Sequence, residues 1–161
     1  MTFKELLAEL FTAHEERREP NVPQEAQNAG FWKAYRAWAN STEDNPDHEW
    51  QNSERNTIIC GALFNGDTPT TPEEAQEFLS AATANGITTI ILTDKSTALM
   101  DSIHALTNAG ARITGTATAT RKPNFYSKTA ETAKAIKLTI PTETETEEKT
   151  DGKTRRNIIR L

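Results

Sequence analysis

Asp67 and Asp94 are the residues whose type and placement could do chemistry together. Each follows an apolar run of strand length, 57–64 and 87–92, and each precedes a run of helix length. In a parallel sheet both carboxylates would stand at one carboxyl edge, where a pair can hold Mg²⁺ or one can bind a ribose hydroxyl. The pair therefore forms the candidate catalytic site, for Mg²⁺-dependent phosphoryl or nucleotide chemistry. The competing assignment is local: an aspartate in a turn or at a helix start accepts backbone N–H groups and need do nothing more.

No other set of residues completes a catalytic constellation. His14, His48 and His104 lie far apart, without H-x-H or H-E-x-x-H spacing, so no metal set is read and no cofactor is identified. Cys60 sits inside an apolar run, where a thiol behaves as a small hydrophobe. Its solitude excludes an intrachain disulfide and fits a reducing cytoplasm, the expected location. The loop over 60–66 has neither G-x-G-x-x-G spacing nor a G-K-[ST] ending, and no G-x-S-x-G elbow occurs.

Two patterns point to binding instead. Arg121, Lys122, Phe125, Tyr126 and Lys128, with Lys134 and Lys137 beyond, interleave cations and rings as a single-stranded nucleic-acid platform does. Phe31, Trp32, Tyr35 and Trp38 recur at helical spacing, which makes either a core stripe or a partner surface; Trp32, Tyr35 and Trp38 are the candidate partner contacts.

The elements that must position these residues follow from periodicity. Thr2 and Glu5 form a capping box ahead of Phe3, Leu6, Leu7, Leu10 and Phe11, predicting a helix over 3–17 that Pro20 ends. A second helix is predicted over 24–39, weakened at Gly30 by about 1 kcal/mol relative to alanine. An acidic connection follows over 40–56, with Trp50 as its anchor. From 57 to 119 the pattern reads β-α-β-α-β, with Thr71-Pro72-Glu73-Glu74 as a complete helix start. The last strand, 111–119, alternates small apolar residues with threonines and is placed near a sheet edge.

Asn65-Gly66-Asp67, Thr71-Pro72-Glu73-Glu74 and Leu92-Thr93-Asp94 resemble the corresponding stretches of the PHP family of metal-dependent phosphoesterases, over about 40 residues of this chain. The resemblance implies strand-turn-helix units, and the family's metal-dependent activity is not carried over to this chain. The family's metal-binding histidines have no counterparts here: 57–61 offers none, and Lys95 stands where a Thr-Asp-His motif would place one.

At the C-terminal end, Asp151-Gly152 signals a two-residue hairpin turn that would pair Glu148 with Arg155, Glu147 with Arg156 and Glu143 with Arg160. Pro141 places the incoming strand on an edge or at a bend. The net charge of −5 conceals 6 basic and 15 acidic side chains in 1–85 against 12 and 8 in 86–161. No apolar run reaches the roughly 18 residues of a membrane span, and the charged, one-faced N-terminus is unlike a signal peptide.

These features together predict one α/β domain: a helical N-terminal extension over 1–56, an α/β core over 57–141 and a β-hairpin over 142–161. The expected core is a small, open, mostly parallel, Rossmann-like sheet. The expected function is that of a non-enzymatic binding or adaptor protein acting on a protein partner or on itself through the aromatic helix or the hairpin. Nucleic-acid binding through 121–137 and phosphoryl or nucleotide chemistry at Asp67 and Asp94 are the alternatives.

Overall fold

The computed structural model describes residues 1–45, 48–52, 54, 56–60, 71–94, 99–123 and 128–141. Asp67, Lys95, Phe125, Tyr126 and the hairpin over 142–161 lie outside the described residues. The helices begin where local chemistry dictates. Helix α1 (Phe3–Glu16) opens on the capping box, the Glu5 N–H donating to Thr2 Oγ1 at 3.1 Å and the Thr2 N–H to Glu5 Oε1 at 2.8 Å. Arg17 ends it in the left-handed region at φ 57°.

The second predicted helix is broken. A 3₁₀ turn at Gln24–Ala26 is followed by a fresh start at Asn28, whose Oδ1 accepts the Phe31 N–H at 2.6 Å, and α2 runs only over Ala29–Ala39. Asn28 competes for the backbone and wins a new cap, a local effect that periodicity alone does not register.

The central units form as the alternation requires: β1 (Thr57–Cys60), α3 (Pro72–Ala84), β2 (Thr89–Thr93), α4 (Leu99–Asn108) and β3 (Arg112–Arg121). A further strand, β4 (Glu131–Thr139), completes the sheet from the segment expected to present cations. The strand order is β1-β2-β4-β3. The sheet is mixed, which corrects the mostly parallel Rossmann-like expectation: β1 pairs parallel with β2, while β4 pairs antiparallel with both β2 and β3. The first three strands still run in one direction; β4 slips between β2 and β3 and runs against them. Pro141 falls just after β4, a central strand, and the hairpin expected beyond it lies outside the described residues.

One sheet face carries the main core. Ile58, Cys60, Ile90, Leu92 and Leu138 pack in one cluster with Phe3 and Leu6 of α1, Phe31 and Trp38 of α2, Phe78 of α3 and Leu106 of α4. The N-terminal helices are thus integral to the core. On the opposite face Trp50, only 1% exposed, covers Ile59, Ala119 and Ala133. Gly30 is where α2 crosses α3: a Cβ there would lie 2.4 Å from Phe78 N and 2.6 Å from the Glu74 carbonyl oxygen. What composition reads as a weak helix position is the close-approach point of the helical layer. Among the described residues no helix is long and apolar enough to cross a membrane.

Candidate binding edge and cleft

Cross-strand pairing sets side chains in rows on the helix-covered face. One row runs Ile58, Ile90, Leu138, Ile113, and the next runs Cys60, Leu92, Ile136, Thr116. A third begins at Asp94, whose N–H donates to the Lys134 carbonyl at 2.8 Å, and continues to Thr118, the partner of Lys134 in β3. The first two rows are buried at the β1 and β2 end and reach solvent at β3, where Ile113 is 54% exposed and Thr116 is exposed. Burial pushes the Cys60 thiol far above its ordinary range, consistent with a side chain that serves packing.

The layer of helices stops short of β3. Between the start of α4 and the last two strands lies a cleft of about 420 Å³, floored by Leu92, Leu99 and Ile136, walled by Thr116 and Thr118 and rimmed by Asp94 and Lys134. That volume lies near the lower end of the about 300–1,000 Å³ usual for ligand pockets. Asp94, the described member of the predicted carboxylate pair, is exposed at this rim, beside a lysine. Among the described residues no three His, Cys, Asp or Glu side chains gather as a metal site.

Beyond the cleft is the sheet edge. The Gln51 N–H donates to the Thr120 carbonyl at 2.8 Å and the Lys122 N–H to the Glu49 carbonyl at 3.0 Å, so the segment around Trp50 covers the C-terminal end of β3. Thr120 therefore faces outward, and backbone alternation turns Thr118 and Thr116 the same way. Neither has a backbone partner on that side among the described residues. The edge is long, β-branched and almost uncharged, without the proline or lysines that usually blunt such strands.

The cations predicted as a nucleic-acid platform are dispersed. Arg121 lies over the Trp50 ring at 5.4 Å, with Glu49 at 2.9 Å and Glu131 at 4.0 Å. Lys122 Nζ meets His48 Nε2 at 3.1 Å. Lys134 and Lys137, three residues apart on β4, point to opposite faces. Lys128 is exposed outside the strands.

The aromatic helix is turned inward. Phe3 of α1 inserts among its rings, 5.6 Å from Trp38 and 6.2 Å from Tyr35, and both are 8% exposed. Trp32 is partly buried against Phe31 and Tyr35.

The cleft residues Leu99, Thr116, Thr118 and Ile136 escape sequence reasoning because their strand order is not legible. A usable signal exists in the alternation Ile136, Leu138, Ile140, which marks one apolar face of a strand.

Residues 61–140 match a family model described as a domain of unknown function (DUF7698). The matched span is just under half of the chain and contains α3, β2, α4, β3 and β4, hence every residue that lines the cleft. No curated protein and no solved structure matches the chain.

Proposed function

We propose that this protein is a non-enzymatic binding module that takes an extended segment of a protein partner along the free edge of β3. The observation that carries the reading is the outward backbone of Thr116 and Thr118, unpaired among the described residues, beside an apolar cleft. Strand addition uses main-chain hydrogen bonds for adhesion and pockets at alternate side chains for selectivity. The N–H and C=O groups of two residues offer up to four bonds, at about 0.5–1.5 kcal/mol net each. Association costs about 4–15 kcal/mol in lost freedom, so backbone pairing needs an apolar anchor, and the cleft supplies a place for one.

A second copy of this chain is a poorer occupant. With 49–51 covering one end, a two-fold axis between paired β3 strands would fall near residue 115, where the register shift between Ile113 and Gly115 breaks the ladder.

The test uses randomised octapeptides displayed on phage and selected against the immobilised protein. Selected peptides should perturb the Thr116 and Thr118 amide resonances, and Thr118→Pro, which deletes an outward N–H without touching the β4 ladder, should abolish their binding. Binding unchanged in Thr118→Pro, with resonances moving elsewhere, would refute the reading.

A further inference from the structure

We infer that the partner segment carries an apolar side chain set two residues from an acidic one, the apolar group entering the cleft and the carboxylate meeting Lys134. This rests on the reading of β3 as the docking edge and extends it to the chemistry of the ligand. A strand added outside β3 prolongs the rows already in the sheet. One of its residues stands opposite Thr116, at the end of the row through Leu92 and Ile136. Another stands opposite Thr118, at the end of the row through Lys134. These positions share a face and so lie two residues apart.

The first position looks across a short threonine toward Leu99 and Ile136, with Ile113 exposed on the neighbouring row. The second has Lys134 two strands away, about 10 Å between backbones at the usual spacing, a gap that an extended lysine spans over a small residue. Asp94 lies one strand farther on the same row, so the lysine is the nearer charge and an acidic partner residue is the complementary one. Antiparallel addition, the sense in which β3 already pairs with β4, puts the acidic residue first in the peptide.

The probes are three acetylated, amidated hexapeptides: Thr-Asp-Thr-Leu-Thr-Val, its Leu→Ser version and its Asp→Lys version, titrated into the full chain by NMR. The first should bind best. Replacing leucine by serine should weaken binding about tenfold or more, the effect of withholding a buried aliphatic side chain. Lys134→Glu should reverse the preference between the aspartate and lysine peptides, a swap that a general loss of fold would not produce. Equal binding of all three peptides, unaltered by Lys134→Glu yet abolished by Thr118→Pro, would overturn this inference and leave the edge reading standing. Peptide binding indifferent to Thr118→Pro, or no binding at all, would overturn both, as would a dimer in solution that Thr118→Pro dissociates.

Discussion

Gly30→Ala tests the geometry on which the helical layer depends. The added Cβ would lie 2.4 Å from both Glu77 Cβ and Phe78 N and 2.6 Å from the Glu74 carbonyl oxygen, where ordinary contact begins at 3.4 Å. Two of these atoms belong to the α3 backbone, so no rotamer change relieves the overlap, and α2 must retreat by about 1 Å. Retreat breaks the bond from the Gly30 N–H to Glu77 Oε1, now 3.1 Å, and stretches the partly buried Lys33–Glu74 ion pair, now 3.8 Å. Overpacking costs about 1–3 kcal/mol and the lost hydrogen bond about 1, against a helix-propensity gain of at most about 1. The net is a destabilisation of about 1–3 kcal/mol, which in a chain of this size lowers the melting temperature by roughly 3–10 °C. Gly115→Ala is the matched comparison: nothing lies within 4 Å of its Cβ position, so the variant should be neutral or slightly stabilising. Chemical denaturation and thermal melts of both variants decide the matter. A Gly30→Ala protein as stable as the parent would refute the close crossing of α2 and α3.

Three further outcomes follow from single sites. Trp50→Ala should cost about 3–5 kcal/mol as a buried ring is lost, and should raise amide exchange at Gln51 and Lys122, whose bonds tie this segment to β3. Cys60 is 3% exposed with its thiol pushed upward by burial, so it should resist a thiol reagent at pH 8 in the native state and react on unfolding. Glu9 is held below its ordinary 4.5 first by the Arg18 side chain and then by the Asn21 N–H. Its contribution is therefore present above pH 4.5 and lost as pH falls through the depressed folded value. Carboxyl NMR should show the Glu9 midpoint rising toward 4.5 in Arg18→Ala.

What was legible in the sequence is what neighbours along the chain decide. Thr2 with Glu5 and Thr71 with Glu74 announce helix starts because the groups that satisfy each other are three residues apart. The parallel pairing of β1 with β2 follows from two apolar runs bracketing an amphipathic helix. Gly30 was legible only as a propensity, since its role depends on α3, more than forty residues away. The candidate site was obscured for a related reason. Lys134 and Lys137 make the β4 segment look like solvated chain, but each occupies the exposed part of a different face, while Ala135 between them and Ala133 and Leu138 on either side are buried. A central strand with two unequal, half-polar faces carries neither a pure alternation nor a continuous apolar run.

The position of β4 shapes the edge on which the proposed binding rests. With β3 laid directly against β2, the carboxyl end of β2 would adjoin another strand end of the same polarity, the crevice where open α/β sheets hold ligands. The antiparallel insertion removes that juxtaposition on the β3 side of β2, leaves it between β1 and β2, and puts Lys134, near the start of β4, next to Asp94. It also sets β3 at the margin of the helical layer, where among the described residues Thr116 and Thr118 have open backbone groups and the half-buried Ile136 lies beside them at the floor of the cleft. Edge and cleft are therefore two results of one topological event, and a ligand that uses one is positioned to use the other. An open edge flanked by an apolar cleft suits extended chain, and on that the proposed binding reading rests.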